Sequence, residues 1–130
     1  MADDRQRREA ASIDERGLRP PAAYTLRRRE DAPVLVLEGE LDIASAPELR
    51  RELDDLDGDA LVLDFTRATF IDSAVLKELL RARVELAERG VRVVLAGVPA
   101  PVRRLMDLTR TWELFESADD VDAALTRLSA

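Results

Sequence analysis

The residues best placed to do chemistry are a neighbouring aspartate and serine, Asp72 and Ser73, in the stretch TFIDSAVLKELL at residues 69–80. An apolar, strand-like run ends at this pair, and a helical pattern begins directly after it. A serine there can cap the helix, because its hydroxyl accepts a hydrogen bond from an amide two or three residues later. The same position suits a phosphoacceptor, because a helix N-terminus favours an added negative charge. Position alone leaves both interpretations of Ser73 open.

A second polar loop, EGELDIAS at residues 38–45, follows another strand-like run and carries Glu40, Asp42 and Ser45. Because the carboxyl ends of parallel strands meet at one edge of a sheet, we expect this loop to lie beside Asp72 and Ser73. Two carboxylates such as Asp42 and Asp72 could form an acid–base pair or bind magnesium. Surface loops often carry such pairs without function, so the pair is weak support for an enzyme.

The chain lacks the residue types and motifs on which most enzymes depend. Its 130 residues include no cysteine and no histidine, which removes the thiolate nucleophile, the commonest general base and the commonest metal ligand. It has no glycine-rich phosphate loop and no nucleophile elbow. The sequence therefore favours a non-enzymatic protein, and we expect neither a cofactor nor a metal.

Charge and hydropathy narrow the possible partners and the location. The formal net charge of −7 argues against nucleic acid, because binding a phosphate backbone needs a basic surface. The N-terminus, MADDRQRREA, is charged and has no signal-peptide core. The strongest apolar run, VRVVLAGVPAPV, is too short and too rich in proline to cross a bilayer. We expect a cytoplasmic protein without membrane insertion.

The hydrophobic pattern divides the chain at residue 22. Residues 1–22 show no sustained periodicity, which predicts a flexible N-terminal extension. After it, strands and helices alternate, so we expect one α/β domain over 23–130, with a mixed, mostly parallel sheet of four to five strands and about four helices. Strands are predicted at 23–29, 33–41, 60–65, 91–97 and 112–116, and helices at 45–58, 73–90, 99–109 and 117–128.

Two helix starts carry a sequence signature. Ser45 and Glu48 have the spacing of a capping box, in which each side chain bonds the backbone of the other residue. Ser117 stands where the N-cap of the last helix is expected, with Asp120 three residues later.

Three stretches together resemble a known family. They are GELD at 39–42 followed by a serine, LVLDFTRATFIDS at 61–73, and VRVVLAGVPAPVRRLMDLT with WELFE within 91–116. On these stretches the chain from about 24 to 129 resembles the STAS domain of anti-sigma factor antagonists. The resemblance implies a non-enzymatic switch that regulates sigma-factor-dependent transcription. Such an antagonist binds a cognate anti-sigma factor, which is also a serine kinase, and phosphorylation of the serine after the aspartate ends the binding. A phosphatase restores it.

Carried onto this sequence, the resemblance makes Ser73 the phosphoacceptor and gives Asp72 the task of positioning it. The docking face would include the loop that carries Glu40, Asp42 and Ser45. The start of the following helix would supply the remaining contacts, through Ala74, Val75, Leu76 and Lys77.

The sequence departs from the family pattern directly after the serine. The family pattern is typically S-[ST]-G-L-G, and here Val75 and Lys77 stand in place of both glycines. Lys77, one helical turn from Ser73, could pair with a phosphate or simply be a solvated lysine. The departure leaves two alternatives open. One is a STAS-type scaffold or regulatory subunit of a larger complex, stressosome-like or transporter-associated, and the other is an antagonist that binds constitutively without phosphorylation.

Overall fold

The computed structural model describes residues 24–129, and the predicted extension at 1–22 lies outside them. The described chain forms five strands and four helices, which confirms the predicted α/β domain with a mixed, mostly parallel sheet. In chain order the elements are β1 (Tyr24–Arg28), β2 (Val34–Leu41), α1 (Ala46–Asp54), β3 (Ala60–Ile71), α2 (Ser73–Glu88), β4 (Arg92–Ala96), α3 (Ala100–Leu108), a 3₁₀ turn (Trp112–Leu114), β5 (Glu116–Ala118) and α4 (Val121–Ser129).

The strands lie in the sheet in their chain order. β1 pairs with β2 in the antiparallel direction, and all the other neighbours are parallel. The carboxyl ends of β2, β3, β4 and β5 therefore meet at one edge of the sheet. At that edge Leu41 of β2 lies beside Ile71 of β3, which brings together the two polar loops that follow these strands.

The two faces of the sheet have separate apolar cores. Helices α1, α2 and α3 cover one face, where fully buried Phe65 and Leu79 belong to the larger cluster. Helix α4 covers the other face, and its buried Ala124 lies against Val62 and Val94. Because both faces are covered, the central strands are apolar at successive positions rather than at alternate ones. No helix among residues 24–129 is both long and apolar enough to cross a membrane.

Two strands differ in length from the prediction. β3 extends to Ile71 rather than ending at residue 65. In its second half Ala68 and Ile71 are buried, the polar residues and Phe70 are exposed, and the register with β2 shifts between Ala68 and Phe70. The predicted strand at 112–116 begins with the 3₁₀ turn, and β5 occupies only Glu116–Ala118.

One predicted helix cap is correct in position only, and the other is wrong. Ser45 is the N-cap residue of α1, but its hydroxyl donates to the Asp42 carbonyl at 2.8 Å, so the predicted capping box does not form. The Glu48 carboxylate accepts a hydrogen bond from the Tyr24 hydroxyl, a residue of β1. Ser117 lies within β5, and the amide of Ala123 in the first turn of α4 donates to the Asp120 carboxylate at 2.7 Å.

Candidate interaction site at the Asp72–Ser73 junction

Asp72 joins the two polar loops at the carboxyl edge of the sheet. It is the N-cap of α2, and its Oδ1 accepts a hydrogen bond from the Val75 amide at 3.1 Å. Its Oδ2 accepts a hydrogen bond from the amide of Ile43, in the loop after β2, at 2.9 Å. Its own amide donates to the Leu41 carbonyl at 3.1 Å. One carboxylate thus fixes the start of α2 relative to the end of β2.

Ser73 is the first residue of α2 and is exposed. The interpretation of Ser73 as the helix cap is wrong, because the Asp72 carboxylate already occupies the cap position. Among residues 24–129, no group forms a hydrogen bond with the Ser73 hydroxyl. The hydroxyl is therefore open to solvent and to an approaching protein, at the positive end of the α2 dipole.

The loop after β2 is held mainly by its own backbone and by Asp42. The Asp42 carboxylate accepts a hydrogen bond from the Ala44 amide at 2.9 Å, and the Asp42 carbonyl accepts one from the Ser45 amide at 2.9 Å. Ser45 itself is fully buried. The Ser45 side chain therefore lies inside the loop rather than on its surface, and it is bonded to the Asp42 carbonyl. Glu40 is exposed and Asp42 is half-buried beside it.

The aliphatic start of α2 turns inward. Val75 and Leu76 are buried in the larger core cluster, so their side chains do not lie on the surface that a partner would meet. Burying them fixes the rotation of α2 about its axis, which leaves Ser73 and Lys77 exposed and Ala74 half-buried. Of the four helix residues assigned to the docking face, only Ala74 and Lys77 can meet a partner directly.

The apolar surface at this edge comes instead from two residues that sequence reasoning missed. Ile43, in the acidic loop, is 72% exposed, and Phe70, which pairs with Glu40 across β2 and β3, is 47% exposed. A large apolar residue inside a short polar loop, as Ile43 is, was the available sequence signal. Phe70 gave no such signal, because it belongs to a strand in which apolar residues are expected.

The charges at this edge are mainly negative. Glu40, Asp42 and Asp72 supply carboxylates, and Lys77 supplies a cation one helical turn from Ser73. No group of three or more side chains within the described range is arranged to hold a metal ion. The site is suited to recognising a protein surface: an exposed hydroxyl, exposed apolar side chains and fixed carboxylates lie on one edge.

Comparison with known proteins assigns this fold to a family. The family model described as "Mlab, STAS domain" matches residues 24–115. A search of curated proteins gives no significant match.

The similar solved structures include an anti-sigma factor antagonist, a transporter family protein and a cell fate determinant. An anti-sigma factor antagonist from Mycobacterium paratuberculosis shares 28% identity, with a TM-score of 0.70 over 87% of this chain and 100% of that one. A sulfate transporter family protein from Wolinella succinogenes shares 19% identity, with a TM-score of 0.67 over 78% of this chain and 87% of that one. The phosphorylated form of the Bacillus cell fate determinant SpoIIAA shares 21% identity, with a TM-score of 0.60 over 82% of this chain and 99% of that one. As its residues 39–42, 61–73 and 91–116 predict, the chain belongs to the STAS domain family.

Proposed function

We propose that this protein is an anti-sigma factor antagonist that binds a cognate anti-sigma factor with serine kinase activity. Phosphorylation of Ser73 ends the binding, and a phosphatase restores it. The observation that carries the proposal is the Ser73 hydroxyl, which is exposed, unbonded within the described chain and flanked by a carboxylate whose oxygens are both engaged elsewhere. In this proposal the protein acts by binding and performs no catalysis of its own.

The Ser73 hydroxyl can be modified without disturbing the fold. Its hydroxyl makes no described hydrogen bond, and the side-chain cap of α2 is supplied by Asp72 rather than by Ser73. A phosphate at the first position of a helix lies near the orphan backbone amides of the first turn, which favour negative charge. Phosphorylation therefore changes the surface of the protein and leaves its core unchanged.

A phosphate on Ser73 adds close to two negative charges to an edge that already carries Glu40, Asp42 and Asp72. A partner that accepts the unmodified edge meets a sharply higher negative potential there. Ile43, 72% exposed, supplies the apolar contact that such a partner would bury beside the charge. We infer that Ile43 and the shape of this edge provide the binding contacts, and that the negative charge at the edge controls whether the partner binds.

The experiment compares Ser73→Ala and Ser73→Asp with the wild-type protein in affinity for the cognate anti-sigma factor. The alanine variant should bind as wild type does, and the aspartate variant should bind at least about tenfold more weakly, a difference of about 1.4 kcal/mol. Ser129→Asp is the matched control, because Ser129 is an exposed serine on α4, across the sheet. Equal affinity of the Ser73→Asp and Ser129→Asp variants would rule out charge gating at Ser73.

Intact-mass measurement with phosphosite mapping, on protein from its native cells, tests the modification itself. A form heavier by one phosphate, mapped to Ser73, is the expected result. The unmodified mass alone, under growth and under stress, would contradict phosphorylation as the control.

A second candidate function is a STAS-type scaffold or regulatory subunit of a larger assembly. Val75 and Lys77, in place of the two family glycines, favour it, and the similar fold of the sulfate transporter family protein is compatible with it. This function requires Ser73→Asp to leave the assembly intact, which is the opposite of the result expected above.

A further inference from the structure

The loops that follow β4 and β5 leave the sheet toward opposite faces. The loop after β4 leads into α3, which packs on the same face as α1 and α2 through Val102 and Met106. The loop after β5 leads into α4, which packs on the other face around Ala124. Where neighbouring parallel strands diverge in this way, a crevice opens outside their carboxyl ends, and open α/β sheets bind ligands in such crevices. The loops after β2 and β3, which carry Asp42 and Ser73, lead to one face only.

A crevice of about 520 Å³ lies at this divergence. Its lining includes Gly97, directly after β4, and Thr66 of the neighbouring β3. A Cβ on Gly97 would lie 2.5 Å from the Thr66 Oγ1, and the φ of Gly97 is +65°. Only glycine therefore fits at this position, where the end of β4 approaches Thr66 closely. Within residues 24–129 the Thr66 hydroxyl makes no hydrogen bond, so it is an available donor.

Two arginines line the crevice, one from each diverging helix. The guanidinium carbon of Arg103, on α3, lies 3.9 Å from the centre of the Trp112 ring, and its Nε donates to Asp107 at 3.1 Å. Arg127, on α4, donates from one terminal nitrogen to the Ser117 carbonyl at 2.5 Å. A guanidinium has five N–H groups, so each arginine is held in place and still has donors to offer.

We propose that this crevice is a second binding site, for the phosphate group of a small phosphorylated molecule held between Arg103 and Arg127. Two guanidiniums in one crevice suit a phosphate because their planar N–H donors match its oxygens, and a crevice of this volume is within the usual range for a small ligand. The site is separate from Ser73 and does not depend on the function proposed for that edge.

Two aspartates also line the crevice, and they allow a test of whether the bound ligand is an anion or a cation. One oxygen of the Asp120 carboxylate accepts a hydrogen bond from the Ala123 amide at 2.7 Å, and Asp119 is exposed. Both carboxylates oppose an anion, and Asp119 is the one whose replacement leaves that hydrogen bond to α4 in place. Replacing Asp119 with asparagine should therefore strengthen phosphate binding. The same change would weaken the binding of a cation or a zwitterion.

The experiment follows backbone amide NMR shifts while inorganic phosphate or glycerol phosphate is added, with sodium chloride at matched ionic strength as the reference. Shifts should centre on Gly97, and Arg103→Gln and Arg127→Gln should each weaken binding about tenfold, the loss of one charge-assisted contact. Arg104→Gln is the matched control, because Arg104 is exposed on α3 outside the crevice. Thermal melting of each variant establishes that it is folded.

Three results would overturn the proposal. They are shifts no larger than those produced by chloride, weakening by Arg104→Gln equal to that by Arg103→Gln, and weaker binding by Asp119→Asn. Tighter binding of glycerol phosphate than of inorganic phosphate would identify a phosphate ester as the natural class. The reverse order would identify free phosphate, and both orders support the site.

Discussion

Replacing Asp72 with alanine tests whether one carboxylate organises the interaction edge. The substitution removes the acceptor for two backbone amides, those of Val75 in α2 and Ile43 in the loop after β2. It leaves the buried aliphatic residues of α2 untouched. The effect on stability should therefore report the lost hydrogen bonds rather than a packing defect.

The two hydrogen bonds set the size of the effect. Loss of an N-cap acceptor costs about 1 kcal/mol. Loss of the hydrogen bond to Ile43 adds about 0.5–1 kcal/mol, because that exposed amide can turn to water. The sum is roughly 1.5–2 kcal/mol, which for a domain of this size lowers the melting temperature by roughly 5–10 °C. Asp72→Asn keeps one carbonyl oxygen as an acceptor, so it should lose about half as much.

Urea unfolding, followed by circular dichroism, measures these free energies directly. Glu88→Ala is the control, since Glu88 is an exposed carboxylate at the other end of α2, where a substitution should change stability by less than about 0.5 kcal/mol. If Asp72→Ala costs no more than Glu88→Ala, Asp72 does not join the two loops in solution. A changed m-value would instead mean that the substitution alters the unfolded or native ensemble.

Three further substitutions probe the core, the sheet edge and the surface. Leu79→Ala removes a side chain that is 1% exposed in the larger core cluster and should cost about 2–5 kcal/mol in urea unfolding, whereas a cost below about 1 kcal/mol would mean that α2 is loosely packed. The pKa of Glu116 lies below its ordinary value because Arg92 donates hydrogen bonds to its carboxylate. The stabilisation that ionised Glu116 gives the folded state is therefore present above the pKa of the unfolded chain, and it is lost as the pH falls through the pKa of the folded state. Glu116→Gln should therefore flatten the acid limb of a plot of stability against pH, by less than about 1 kcal/mol because the pair is exposed, and an unchanged limb would contradict the ion pair. Ile43→Ser should leave stability within about 0.5 kcal/mol yet weaken binding of the anti-sigma factor, and unchanged binding would place the docking surface elsewhere.

The order of helices and strands was predictable because each kind of element buries apolar side chains at its own spacing along the sequence. The run at 73–90 has apolar residues along one side of a helix, and α2 occupies Ser73–Glu88. The length of β3 was harder to predict, since its second half mixes exposed polar residues with buried Ala68 and Ile71. Such a strand shows neither the continuous run of a doubly covered strand nor a regular alternation.

The site was predictable only in part, because the sequence gives the position of a residue along the chain but not the direction in which its side chain points. Val75 and Leu76 lie next to Ser73 in sequence, yet the helix carries them to the buried side. The stripe that they share with Leu79 was the signal for this. The capping box failed for a different reason: Tyr24, from β1, donates to Glu48 across 24 residues, and no local motif contains that contact.

The arrangement of Asp72 bears on how a switch at Ser73 would operate. If the Asp72 carboxylate bonded the Ser73 hydroxyl, phosphorylation would break that bond and loosen the helix start. Its oxygens instead accept hydrogen bonds from the amides of Val75 and Ile43, so in the proposed switch a phosphate on Ser73 would replace neither of these bonds. A switch built in this way changes the charge that a partner meets while keeping the shape of the edge, and its reversal by a phosphatase would need no refolding.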